Sequence, residues 1–212
     1  MGFLGRLFGS KPAFEDRVWM TEKLKLDDVV RHASVEASLI VYHFAETGER
    51  VRSRLDESGL DYQLLRRPSS SELERLSGLS VLAADEVPDE IQRGQGRRSA
   101  QVAGAPRCRV QLVEHFPTPL RDDQVLNLHA ILPPGSEFFC YVGLDEAWIA
   151  TMLGSSTRQL LDQLGMSDSE PLTHSMIGGA LRRAQEQIEK KRRKIESYAR
   201  SSAEWMQLNM SG

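Results

Sequence analysis

Apolar residues recur along this chain in short, nearly unbroken runs separated by amphipathic stretches. The run 38–44 is β-branched and almost wholly apolar, the pattern of a central strand buried on both faces. Residues 47–58 then carry Val51 and Leu55 at helical spacing and stop at Gly59, a natural helix terminator. Residues 62–65 read as a second strand. Ser69, Ser70 and Ser71 offer caps for a helix carrying Leu73, Leu76 and Leu79, and 80–84 reads as a third strand. Strands at 109–114 and 137–143 flank a helix at 121–132, with Pro133, Pro134 and Gly135 marking the last crossover. Upstream, Trp19, Leu24, Leu26, Val29 and Val30 predict one helix over 14–32. Strands and helices alternating at this spacing predict an α/β, three-layer domain with a mostly parallel sheet of about five strands.

The pattern changes at both ends of this domain and once inside it. Residues 92–104 are basic and glycine-rich and predict a surface loop. A helical pattern covers 148–165 and leads into a helical connector placed at 151–174. Beyond Pro171, Ile177, Leu181, Ala184, Ile188, Ile195, Tyr198 and Trp205 recur at three- and four-residue intervals, predicting one helix of about thirty residues over 175–208. Lys191 and Ser202 interrupt its seam, which suits a helix lying along a globular body or a partner better than a coiled coil.

Composition adds a polarity that the pattern alone does not reveal. With 212 residues, 40% hydrophobic and 27% charged, the chain suits an ordinary soluble domain with an appendage, and the net charge of -3 excludes a global basic field for nucleic acid. That small charge is a cancellation. Residues 175–200 hold eight basic and three acidic side chains, net +5, leaving the rest at -8. The run Lys190, Lys191, Arg192, Arg193 and Lys194 spreads around a helix, so a solvated face with pairs such as Glu186 with Lys190 is favoured over nucleic-acid binding. An acidic partner or anionic lipid fits the same run.

At the start of the chain, in the amphipathic tail 1–12, Phe3, Leu4, Leu7 and Phe8 lie at helical spacing beside Arg6. They predict a tail that is either frayed or a weak membrane-surface or partner-docking helix. The apolar part is too short for a secretory signal, and Arg6 stands where an N-myristoylation motif requires Ser or Thr. No apolar stretch approaches the roughly 20 residues of a membrane helix.

Candidate chemistry is sparse. Cys108 and Cys140 lack companion sulfur ligands, and Cys140 reads as core. His32, His43, His115, His129 and His174 show no paired-ligand spacing, so no metal site is expected. Asp122 and Asp123 fit the start of a helix better than acid–base work. There is no Walker A loop, no dinucleotide turn after the first strand, and no Gly-x-Ser-x-Gly elbow. No catalytic, cofactor-binding or metal residue is predicted.

The stretch LGMSDSEPLTHSMIGGALRRAQEQIE, residues 164–189, resembles the junction between the second nucleotide-binding domain and the helical scaffold of the preprotein-translocase motor ATPase SecA. Gly165, Met166, Glu170, Pro171, His174, Met176, Ala180, Arg183, Ala184, Gln185 and Glu189 carry the likeness. Upstream, EHFPTPLRDDQVLNLHAILPPGSEFFCYVGLDE is similar to that family's final helicase motif, its Pro-Gly-Ser turn and the next strand, without a gap. The strand SLIVYHF, the helix ending at Gly59 and LDYQLL follow the layout of its second RecA-like domain, and MGFLGRLFGSK is similar to its lipid-contacting N-terminus.

The resemblance implies a RecA-like fold over 13–150, of the helicase C-terminal type, without its chemistry. Aligned through His115 and the turn Pro134-Gly135-Ser136, the family's two γ-phosphate arginines fall on Asn127 and Ala130. Such an arginine is worth roughly 10³ to 10⁵ in rate. The glycine-rich segment after the third strand reads LAADEVPDE, and no first nucleotide-binding domain is expected in these residues. The expectation is therefore a non-catalytic, cofactor-free, SecA-like interaction module, cytoplasmic or peripheral at the membrane's inner face, accessory to protein export. Its protein partner would be a translocase component or a secretory chain. Contact would run through Ile177, Leu181, Ala184, Ile188, Ile195 and the basic run. The alternative is a nucleotide-dependent translocase or helicase subunit completed in trans by a partner carrying the Walker loop.

Overall fold

The two faces of a buried strand must each find an apolar layer, and the central run of the chain shows this residue by residue. Leu39 and Val41 join one core cluster, with Val110, Leu112, Cys140 and Val142, while Ile40 joins another, with Val81, Val113 and Tyr141. The computed structural model describes residues 13–33, 37–88, 107–152, 170–173, 175–193 and 195–210. Its strands are β1 (Glu15–Trp19), β2 (Ser38–Tyr42), β3 (Gln63–Leu64), β4 (Leu79–Ala83), β5 (Arg109–Leu112) and β6 (Glu137–Gly143). Its helices are α1 (Glu22–Ala33), α2 (Ala45–Glu57), α3 (Ser70–Glu74), α4 (Pro119–Leu126), α5 (Ser175–Lys191) and α6 (Ser202–Asn209). The strands form one sheet in the order β1-β6-β5-β2-β4-β3, every neighbouring pair parallel. Leu26 and Val29 of α1 and Val51 and Leu55 of α2 cover one face, whereas Leu73, Val125, Leu181 and Ile188 bring α3, α4 and α5 onto the other. The chain is thus a three-layer α/β domain, as expected.

Local chemistry fixes the element boundaries. Ser69 and Glu72 form a capping box at the start of α3. Gly59 takes φ +65 just past α2, a conformation that costs glycine no Cβ strain. The predicted helix over 121–132 shortens to α4, which continues as a 3₁₀ turn, Asn127–Ala130.

Two expectations are corrected. The segment 14–32 is not one helix: β1 comes first, making six strands rather than five. Its Glu-Asp-Arg start hides the strand, because Arg17 lies over the Tyr141 ring and Asp16 pairs with His115. Thr21 then caps α1, its hydroxyl accepting from the Leu24 N–H at 3.3 Å. The outer edge of β1 is covered by Leu172, which exchanges two backbone hydrogen bonds with Val18 at 3.1 and 2.9 Å.

The long helix over 175–208 is also not continuous. It stops at Lys191, and the chain doubles back so that Arg193 N–H bonds the Asn209 carbonyl at 2.8 Å. Asn209, fully buried, bridges the return by accepting from Ser197 N–H and donating to the Ser197 and Trp205 carbonyls. Trp205 supplies the driving force. A straight helix would project it away from the sheet, whereas here it is 1% exposed and packs edge-on to Phe116 at 5.4 Å. Burying an indole of this size is worth about 4–6 kcal/mol.

Trp205→Ala is therefore expected to lower unfolding stability by about 3–5 kcal/mol in urea titration. A loss below about 1 kcal/mol would contradict docking of α6 on Phe116.

Candidate functional site

In parallel α/β sheets, ligands gather outside the carboxyl ends of the strands where successive crossovers leave in opposite directions. Here that point lies between β2, whose crossover runs toward β3, and β5, whose crossover runs toward β6. The groups present are Glu114 beyond β5, His43 and Phe44 beyond β2, and the first turn of α2.

Glu114 is turned inward. One of its oxygens accepts the N–H groups of His43 (3.2 Å) and Phe44 (3.0 Å), and the other accepts the Thr47 hydroxyl at 2.8 Å. Within the first turn of α2, Glu46 N–H donates to the Arg200 carbonyl at 3.0 Å. Leading amides of a helix are the usual seat of a bound phosphate. In this chain a carbonyl of the C-terminal return takes one of them, Glu46 N–H, and an internal carboxylate takes the two amides just before the helix.

The buried charge has a counter-ion. Lys25 is fully buried and reaches Glu146 at 2.8 Å. Burial works against its ammonium, yet Glu146, Glu114 and Glu22 hold its pKa above the ordinary lysine value. Burial likewise holds the Glu114 and Glu146 carboxyls above the usual range, opposed by Lys25. Glu146 also accepts the Gly143 N–H at 2.7 Å, fastening the end of β6. What remains of the crevice is about 250 Å³ between Phe44, Phe116, Trp205 and Tyr198, with Phe44 stacked on Phe116 at 5.2 Å.

A second polar cluster lies below the first, on the α5 face of the sheet. Asp122 accepts from the Phe116 N–H (2.9 Å) and the Gln185 amide (2.6 Å), and its oxygens meet His43 Nε2 at 2.8 Å and His115 Nδ1 at 2.6 Å. The other His115 nitrogen, Nε2, meets Asp16 at 2.8 Å. Burial opposes charge on His115, but Cys140, Asp122 and Asp16 raise its pKa well above the ordinary imidazole value. Burial also opposes charge on Asp122, and its bonds to the two imidazoles overcome this and lower its pKa. The Cys140 thiol is pushed up to about 12 by burial. Asp16, His115 and Asp122 open on a cavity of about 770 Å³ between β1, α4 and α5.

The residues proposed from spacing meet different fates. Leu181 (1% exposed), Ala184 and Ile188 face the sheet, with Ile177 half-buried beside them, so this part of the seam is spent within the chain. Ile195, at 85%, and Tyr198, at 80%, are exposed because the helix ends before them. Lys190, Lys191 and Arg193 are exposed, while Arg192 pairs with Glu189 at 2.8 Å. Glu186 pairs with Arg182 rather than Lys190. Lys194 and the N-terminal Phe3, Leu4, Arg6, Leu7 and Phe8 lie outside the described residues, as do the loop 92–104 and the predicted helix beyond 152. Asn127 and Ala130 occupy the 3₁₀ turn after α4. Among the described residues, no helix is long and apolar enough to cross a membrane. Sequence reasoning gave Asp122 a capping role; its buried network was hidden because its partners lie 6 to 79 positions away.

No family model matches this chain. Among known proteins it is similar to the protein translocase subunit SecA of Borrelia garinii subsp. bavariensis, 35% identical over 65 residues. That stretch is 31% of this chain and 7% of the relative's length. Among solved structures it is similar to the C-terminal part of the Fun30 ATPase domain, with TM-score 0.37 and 13% identity, covering 78% of this chain and 54% of that one. The sequence likeness supports a relation to SecA over a limited stretch.

Glu114→Ala would strand two backbone amides and leave Lys25 one carboxylate short. It is expected to cost about 3–5 kcal/mol in urea titration, and Glu114→Gln, which keeps an acceptor for the amides, less. An Ala variant within 1 kcal/mol of the parent would contradict this role of Glu114 as acceptor for the His43 and Phe44 amides.

Proposed function

We propose that this chain is a non-catalytic, SecA-like interaction module that acts beside the protein-export machinery. The observation that carries the reading is the crevice between β2 and β5. The His43 and Phe44 amides that lead into α2 are bonded to Glu114, the Glu46 amide of its first turn is bonded to the Arg200 carbonyl, and Trp205 lines the rim. A nucleotide would have to displace a buried carboxylate and unpack an indole. The absence of a Walker loop and the presence of Asn127 and Ala130 at the family's arginine positions support the same reading.

The contact surface of such a module is the bend between α5 and α6. Ile195 and Tyr198 are exposed there, and the exposed Lys190 and Arg193 shortly precede them in the chain, giving apolar groups on a basic segment. A partner with an apolar spot in acidic surroundings fits it best. Nucleic acid is less favoured, since Arg182, Arg192 and Arg200 are drawn into pairs with Asp123, Glu189 and Glu49. The SecA likeness supports an export setting, and with it a cytoplasmic chain whose partner is a translocase component or a secretory chain.

Immobilised chain offered purified SecA and unfolded secretory chains tests this. Capture of either should fall at least tenfold with Ile195→Asp combined with Tyr198→Asp. Capture of neither, or equal capture by the variant, would contradict the reading.

A further inference from the structure

The Asp16–His115–Cys140 cluster serves no purpose in the proposed contact surface, and its donor atoms are an unusual set for a wholly structural ion pair. A carboxylate oxygen of Asp16, a ring nitrogen of His115 and the Cys140 sulfur all lie within 4.8 Å of one another. The fold brings them together from three elements. Asp16 and Cys140 are register partners on the adjacent parallel strands β1 and β6, so their side chains leave the same face of the sheet. His115 then returns over that face from the turn after β5.

We propose that Asp16, His115 and Cys140 are three ligands of a divalent transition-metal site, zinc by chemical class, whose fourth position opens on the 770 Å³ cavity. One imidazole, one thiolate and one carboxylate form a borderline-soft set that suits zinc and disfavours calcium or magnesium. Three protein ligands with an open fourth position are the arrangement of a zinc that receives water or a small ligand.

The surroundings are those a metal-bound histidine requires. Nδ1 of His115 is engaged by Asp122 at 2.6 Å, which leaves Nε2 to the metal. Asp122 is in turn held by the Phe116 amide, Gln185 and His43, so the carboxylate that orients the ring is itself fixed by three groups. The cavity mouth is acidic: Glu15, Asp16, Asp122 and Asp123 line it against Arg182, and Arg182 is paired with Asp123. Such a wall concentrates cations. Gly178 of α5 lies over the second oxygen of Asp16, where a Cβ would stand 2.5 Å away, so no side chain crowds that carboxylate.

For the Asp16–His115 pair the required adjustment is small. His115 Nε2 and Asp16 Oδ1 are 2.8 Å apart. Tetrahedral zinc would hold them roughly 3.3 Å apart, an opening of about half an ångström. The chelated thiol loses its proton to solvent on binding, as coordinating thiols do.

The untagged full chain, stripped with chelator and titrated with Co²⁺, provides the test. One equivalent should produce visible ligand-field bands of tetrahedral cobalt and a near-ultraviolet thiolate charge-transfer band, both erased by Zn²⁺. Cys140→Ser should abolish the charge-transfer band, and Cys108→Ser should leave it intact. Asp122→Asn should weaken affinity about 10- to 100-fold while keeping the bands. If Cys140→Ser fails to fold, Asp16→Asn replaces it, with affinity expected to drop at least tenfold at unchanged circular dichroism. Failure of cobalt to give the bands, a charge-transfer band that survives Cys140→Ser, or Asp16→Asn binding at full affinity would each overturn the site.

Discussion

The buried carboxylate of Asp122 is the joint on which this structure turns. It sits in the first turn of α4 and is met by His43 from the end of β2, by His115 and the Phe116 amide from the turn after β5, and by Gln185 from α5. Two strands of the sheet and two helices of one layer therefore converge on a single side chain. A buried anion is tolerated only with near-complete hydrogen bonding, and stripping one from its partners typically costs about 3–5 kcal/mol. The alignment of α4 and α5 against the sheet follows from satisfying that one group, and Phe116, positioned by the same amide bond, becomes the platform on which Trp205 lands.

A second carboxylate, Glu114, does for the other end of the molecule what Asp122 does for the middle. Its oxygens accept the His43 and Phe44 amides that lead into α2 and the Thr47 hydroxyl of its first turn, at a helix start where Phe44 offers no capping side chain. Lys25 neutralises it from α1, and Glu146 ties the same lysine to the end of β6. His43 joins the two systems, its backbone N–H on Glu114 and its ring on Asp122. The carboxyl ends of the strands are thus closed by internal polar contacts and by the C-terminal return.

Much of the fold was legible because it rests on local pattern. Residues 38–44 declared a central strand by being almost wholly apolar, and the serines 69–71 declared a helix start, which the structure places at Ser69. β1 was not legible: in Glu-Asp-Arg-Val-Trp the charged residues are held by Asp28, His115 and the ring of Tyr141, partners that periodicity does not see. The same reason explains the broken terminal helix. Ile177 to Ile188 obey the helical period, but Trp205 is drawn to Phe116, a contact 89 positions away in sequence, and the chain bends to reach it. The polar clusters were the least legible feature, since Asp16, His115, Asp122 and Cys140 become neighbours only through parallel strand register and two crossovers.

The central claim is that the crevice between β2 and β5 is occupied by the chain itself and does not serve a nucleotide. Isothermal titration of the purified chain with Mg-ATP, paired with a phosphate-release assay, addresses it directly. The account predicts no binding heat up to millimolar nucleotide and no hydrolysis above buffer. Micromolar binding with turnover would contradict it and favour a nucleotide-dependent subunit in its place.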